Sequence, residues 1–230
     1  MVATPTYGAT RDRVEDYFDR TATRTWERLT SDAAVSGIRR TVRKGRDRMR
    51  TLMLNQLPDD LTGHRVLDAG CGAGQMTADL AARGADVVAV DISPELVKIA
   101  GQRLPRALSH RVTFASGDML ASELGLFDHV VAMDSMIYYQ ADDLGRALAA
   151  LCPRVGGSVV FTVAPRTPFL MAFWGLGRVF PRSDRAPVLI PHVPKRLARS
   201  AHRHGATGTL RKVARISHGF YISTCLDYAK

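Results

Sequence analysis

Only three cysteines, Cys71, Cys152 and Cys225, occur in 230 residues, and no two are spaced as C-x-x-C. An odd, scattered set supports neither a disulfide framework nor a zinc site. Long apolar runs are missing too, since no stretch approaches the roughly 18–20 residues needed to cross a bilayer. The first residues carry acids and arginines where a secretory signal needs an apolar stretch, so a cytoplasmic location is expected. Internal repeats and low-complexity linkers are absent, which leaves one core as the simplest organisation. Acids are scarce in one place: residues 165–215 hold 11 Lys+Arg against a single Asp.

That local shortage explains most of the net charge of +10. Residues 1–50 hold 12 basic and 7 acidic side chains, and residues 51–164 hold 8 and 13. An acidic centre is therefore flanked by basic segments. Such flanks suit an anionic substrate, an acidic partner, nucleic acid or an anionic membrane surface, and equally a solvated basic face with no ligand. Nucleic acid is not expected, because the aromatic residues are not interleaved with the arginines as in a single-strand-binding motif. At 46% hydrophobic, the chain is long enough for one sizeable core with an added lid.

The central acidic part contains the most informative segment, Val66-Leu67-Asp68-Ala69-Gly70-Cys71-Gly72-Ala73-Gly74. An apolar run ending in an acid and followed by alternate glycines reads as a strand entering a turn whose backbone can approach a ligand closely. A second apolar run, 86–90, ends at Asp91, 17 residues beyond Gly74. That interval holds one helix and a return strand, and it places Asp91 where a carboxylate can accept from ribose hydroxyls. A dinucleotide-binding fingerprint would require G-x-G-x-x-G, but Gln75 occupies the position of its third glycine. A tight turn without any ligand is the remaining alternative. Ser93-Pro94-Glu95 after Asp91 reads as an N-cap and first helical turn.

Hydrophobic periodicity predicts helices over 11–30 and 35–57, then strand 65–69, helix 75–83, strand 86–91, helix 94–103 and strand 111–116. Strand 127–133, helix 142–152 and strand 157–163 continue the alternation of a parallel α/β sheet. Segments 207–216 and 220–227, separated by His218-Gly219, read as a closing antiparallel hairpin. Between strand 157–163 and that hairpin, Leu170, Phe173, Trp174 and Gly177 are spaced to share one helical face edged by arginines. This surface suits a large flat apolar ligand bearing carboxylates; a helix packed on the sheet or touching a membrane is the alternative.

The D-x-G-x-G-x-G pattern resembles motif I of the class I S-adenosyl-L-methionine (SAM) methyltransferases. A narrower resemblance rests on Tyr17-Phe18-Asp19 with Thr21 and Trp26, on the stretch 133–139, and above all on 161–168, 180–187 and 216–221. Together these are similar to the magnesium-protoporphyrin IX O-methyltransferases of bacteriochlorophyll-making bacteria, over nearly the whole chain. The resemblance implies an α/β fold of class I, a Rossmann-like sheet with helices on both faces. It adds an N-terminal helical arm over 1–60, a methyltransferase domain over 61–230, and a substrate lid at about 165–200 after the fifth strand.

The implied reaction is methyl transfer from SAM to one propionate of magnesium-protoporphyrin IX, releasing S-adenosyl-L-homocysteine (SAH) and a monomethyl ester. Magnesium enters only as part of the substrate. Gly70, Gly72 and Gly74 would admit the methionine portion, Asp68 would brace the turn or the amino group, and Asp91 with Ile92 would hold the ribose. Asp118 would meet the adenine amino group, with Met119 covering the ring, and Asp134 would lie near the methionine end. Arg166, Arg182 and Arg185 would serve the other propionate or the lid, Trp174 the macrocycle, and Tyr138 an orienting hydrogen bond. Related plant and cyanobacterial sequences resemble Ile-His-Tyr where this chain has Ile137-Tyr138-Tyr139, so no histidine role carries over. Magnesium chelatase and the photosynthetic membrane are candidate contacts of the basic flanks. A methyltransferase for a quinone or other small molecule, or for RNA, would share the same core.

Overall fold

The computed structural model describes residues 6–18, 37–166 and 189–229. Five parallel strands are built around short apolar runs: β1 (Arg65–Ala69), β2 (Asp86–Asp91), β3 (Val112–Ser116), β4 (His129–Ala132) and β5 (Ser158–Pro165). A two-residue strand, β6 (Pro191–His192), pairs with the end of β5. The hairpin β7 (Thr209–His218) and β8 (Tyr221–Ala229) then adds antiparallel to β5 through β8. The strand order is β3-β2-β1-β4-β5-β8-β7, with the order reversing between β1 and β4. In open α/β sheets a ligand crevice opens at that reversal, beyond the carboxyl ends of the strands.

Continuous apolar strands need cover on both faces, and they receive it. Leu67, Val130, Val159 and Phe161 face a core completed by α5 (Ala141–Leu151), which contributes Leu144, Leu148 and Leu151. Val66, Ala89, Val131 and Val160 face the other side. There α2 (Gly37–Leu54) contributes Met49 and Met53, and α3 (Gln75–Ala82) contributes Met76 and Leu80. Each such fully buried side chain stabilises the fold by about 1.5–3 kcal/mol. The helix α4 (Pro94–Arg103) is capped by Ser93, whose hydroxyl accepts from Leu96 N at 3.4 Å, as the Ser-Pro-Glu sequence predicts.

Besides the two-residue β6, which was not expected, two elements differ from the periodicity reading. The first helix, α1 (Tyr7–Tyr17), starts four residues before the expected 11, because Thr6 caps it by accepting from Ala9 N. The remainder of the expected 11–30 helix, with Asp19, Thr21 and Trp26, lies outside the described residues. Near the other end, α6 (Pro194–Arg203) was not expected as a separate helix. It buries Leu197 and Ala201 against the same core as α5. Residues 194–200 of the 165–200 segment thus pack into the body, and residues 167–188 lie outside the described residues. No helix among the described residues is long and apolar enough to cross a membrane.

Candidate active site

A cavity of about 910 Å³, counting its open mouth, lies at the reversal between β1 and β4. The turn after β1 forms one end. Gly70 has φ 84°, and a Cβ there would sit 2.2 Å from Ser135 Cβ, so only glycine lets the turn press against the loop that follows β4. Gly70 N and Cys71 N donate to Val90 O at 2.7 and 3.0 Å, tying the turn to β2. Asp91, ending β2, accepts from Gly72 N at 2.8 Å and Ser93 N at 3.0 Å. Its carboxylate therefore braces the turn as well as facing the cavity.

Asp68 is buried at the base of the turn and accepts from the Thr77 hydroxyl at 2.6 Å. Burial pushes its carboxyl up to about 7, opposed by the Thr77 hydrogen bond and reinforced by nearby Asp91. At the far side, Asp118 accepts from Tyr7 OH at 2.7 Å, from Leu120 N at 2.9 Å and from Arg11 Nη1 at 3.4 Å. Tyr7 also stacks on Tyr139, with centroids 4.9 Å apart, so α1 roofs this part of the cavity. Burial, above all, raises the Tyr7 hydroxyl well above its ordinary value.

Where the chain passes over the cavity from α2, Arg46 forms an ion pair with Asp134. Asp134 Oδ1 also accepts from Tyr221 OH at 3.0 Å and from the Thr162 hydroxyl at 3.1 Å, while Asp134 N donates to Thr162 Oγ1 at 2.7 Å. Asp134 itself has φ 58°, the one non-glycine positive φ among the described residues. Backbone strain of that kind concentrates at functional sites. Close packing makes the meeting possible, because a Cβ on Gly45 would lie 2.7 Å from Tyr221 Cβ. Tyr138 sits nearby, edge-on to Phe18 at 6.3 Å. Burial and then Asp134 hold its hydroxyl well above the usual tyrosine value.

Most residues singled out from the sequence line this one cavity: Asp68, Gly70, Gly72, Asp91, Ile92, Asp118, Met119, Asp134 and Tyr138. Gly74 is not among the lining residues. Its φ of 83° begins α3, and a Cβ there would sit 2.9 Å from Ala100 Cβ, so it sets the packing of α3 on α4. Arg166 is exposed at the end of β5 and does not line the cavity. Trp174, Arg182 and Arg185 lie outside the described residues. Asp134 lines the cavity, and its carboxylate is also held by Arg46 of α2 and Tyr221 of β8, residues that sequence reasoning missed. One signal was present. Val42, Arg46, Met49 and Met53 recur at helical spacing, which puts a lone arginine on an apolar stripe.

The residues present fit a SAM-like ligand. A glycine turn that a Cβ would fill, a strand-end carboxylate for hydroxyls, and buried acids facing a cationic methionine end are the features such a molecule needs. No cluster of metal-ligating side chains occurs among the described residues.

Comparison with known proteins agrees with this geometry. Residues 132–230 match the family model described as the magnesium-protoporphyrin IX methyltransferase C-terminus, and residues 66–155 match a methyltransferase domain. The chain is 59% identical to magnesium-protoporphyrin O-methyltransferase of Rhodobacter capsulatus over 96% of its own length and 97% of the relative's. The crystal structure of magnesium protoporphyrin IX methyltransferase from Synechocystis PCC 6803 with bound SAH superimposes with a TM-score of 0.79. It shares 26% identity and covers 96% of this chain and 99% of that one. A ubiquinone biosynthesis O-methyltransferase of Xanthomonas oryzae is 37% identical, but over only 54% of each chain.

Proposed function

The chain belongs to the magnesium-protoporphyrin O-methyltransferase family, and from that membership we propose a role for each part of the cavity. The reaction is SAM-dependent methyl transfer to a propionate carboxylate of magnesium-protoporphyrin IX, a step of (bacterio)chlorophyll synthesis. The observation that carries it is 59% identity across 96% of the chain, against the half-length match to the quinone enzyme. Magnesium arrives within the substrate.

When bound, SAM supplies an electrophilic methyl group on a sulfonium. Gly70 and Gly72 admit its methionine portion, Asp68 faces the amino group, and Asp91 with Ile92 holds the ribose. Asp118 and Met119 serve the adenine, with Tyr7 closing over them. A propionate has a pKa of roughly 4 to 4.5, so it is ionised at neutral pH and needs no general base. The chain's task is to orient that carboxylate, hold it at near-attack distance and exclude water. Tyr138, on the cavity lining and neutral at pH 7 as tyrosines ordinarily are, donates an orienting hydrogen bond.

Trp174 lies against the macrocycle in this reading, and Arg166, Arg182 and Arg185 serve the second propionate or the covering segment. The basic flanks, including the exposed Arg39, Arg40, Lys44 and Arg48 of α2, are the candidates for contact with magnesium chelatase or an anionic membrane surface. A transfer assay with radiolabelled SAM, offering magnesium-protoporphyrin IX, a quinol and RNA in parallel, tests the reading. Label is expected only in the porphyrin ester; label in the quinol or RNA alone would overturn it.

A further inference from the structure

Three arginines line the cavity, and each is differently placed. Arg11 lies against Asp118 at the adenine side. Arg50 Nε donates to Asp79 at 2.7 Å and its Nη1 to Asp47 at 3.0 Å. Arg46 alone of the three is joined to Asp134, beside Tyr138 and beyond the glycine turn. We propose that Arg46 receives the reacting carboxylate of the substrate, and that Asp134, held by Tyr221 and Thr162, tempers its charge.

The physical need follows from the charge change. The reaction breaks a sulfur–carbon bond and forms an oxygen–carbon bond. A carboxylate and a sulfonium become an ester and a thioether, both neutral, and no proton moves. Any positive charge paired with the reacting carboxylate is therefore worth more before transfer than during it, and raises the barrier. An unbalanced guanidinium in a low-dielectric cavity would bind substrate tightly and react slowly. A guanidinium already paired with a buried carboxylate offers directional N–H groups with little net charge, which orient without trapping. The side chains of Arg46 and Asp134 are 13% and 6% exposed, so solvent does little of this balancing. Tyr221 and Thr162 fix Asp134 from β8 and β5, and Gly45 brings α2 close enough for Arg46 to reach it. Asp134 and Tyr221 are thus positioning residues acting through Arg46.

This proposal rests on magnesium-protoporphyrin IX as the substrate, and turnover by the unaltered chain tests that reading separately. The test here compares fluorescence titrations of magnesium-protoporphyrin IX and its dimethyl ester, which carries no carboxylate. Arg46→Gln should weaken the diacid roughly tenfold and leave the diester unchanged, with SAH affinity retained as the check on folding. Equal loss for diacid and diester overturns the proposal. Should Arg46→Gln not fold, Arg46→Lys replaces the paired guanidinium N–H groups with a single ammonium, so a reduced diacid preference with SAH affinity retained supports the proposal and an unchanged preference overturns it. Asp134→Asn, a residue tolerant of positive φ, unbalances the arginine. It should lower kcat about tenfold while KM for the diacid stays level or falls, and Tyr221→Phe should move kcat the same way by less. A raised KM at unchanged kcat in Asp134→Asn overturns the tempering role.

Discussion

Around the glycine turn of the cavity, the hydrogen bonds join near neighbours: Asp68 to Thr77 across 9 positions and Gly72 to Asp91 across 19, whereas Asp118 is reached by Tyr7 from 111 positions away. At the acceptor end, Arg46 and Tyr221 reach Asp134 across 88 and 87 positions in opposite directions along the chain. The first end is a strand–turn–helix–strand unit whose geometry is set by glycine φ values and one acid at a strand terminus. The second exists only because α2, β5 and β8 converge on the loop after β4. The comparison teaches that one cavity can combine a widely shared, locally encoded half with a half that the rest of the fold must assemble. It also predicts that the two halves can be damaged separately.

The largest separation should come from Asp91→Ala. The substitution removes both the brace on Gly72 and the carboxylate proposed to hold the ribose, each a charge-assisted hydrogen bond of about 1.5–3 kcal/mol. Calorimetry with SAH should show at least roughly hundredfold weaker binding, while the porphyrin titration changes little. Unchanged SAH affinity would break the assignment of this end.

The converse is Gly45→Ala. Alanine in place of a helical glycine ordinarily stabilises by roughly 0.5–1 kcal/mol. Here its Cβ would meet Tyr221 at 2.7 Å, so α2 must shift and the Arg46–Asp134 pair with it. Overpacking of this kind typically costs about 1–3 kcal/mol, measurable by urea denaturation. Methyl transfer should fall about tenfold in kcat/KM with SAH affinity intact. A stabilised, fully active variant would contradict the packing account.

The smallest effect is a pH dependence confined to the cofactor end. Burial raises the Asp68 carboxyl to about 7 in the ligand-free chain. A raised folded pKa favours the fold fully below the ordinary carboxylate range, and that contribution is lost as pH rises through about 7. A ligand presenting an ammonium to Asp68 favours the ionised form, so binding lowers this pKa and releases a proton. SAH affinity should therefore climb by several-fold as pH rises toward 7 and level off above it, and Asp68→Asn should flatten the profile. The acceptor end provides the control, because the diester titration should show no such slope.

Legibility followed the same division. The five longer parallel strands were readable because each is built around an apolar run, and the glycine turn was readable because its residues are consecutive, whereas the two-residue β6 was not read. Thr6 capping a helix that begins at Tyr7 was not read, because the periodic apolar residues start only at Val14. The helix Pro194–Arg203 was hidden by basic composition, since only Leu197, Ser200 and Ala201 turn inward. Asp134 could be placed near the cavity from its position after a strand, but not paired. Nothing local to residue 134 names a partner on α2 or β8.

The sequence by itself determined the class of fold and the glycine turn with the acids that brace it. Those depend on periodicity, on backbone freedom at Gly70 and Gly72, and on the short loop joining Asp68 to Asp91. Only the tertiary structure decided that Tyr7 would occupy Asp118, that Gly74 would serve packing rather than the cavity, and that Arg46 would be balanced by Asp134. The physical reason is that a hydrogen bond or a close approach between distant residues is fixed by how helices pack on a sheet. That packing is a property of the whole core and leaves only faint marks, such as one arginine on the apolar stripe of α2.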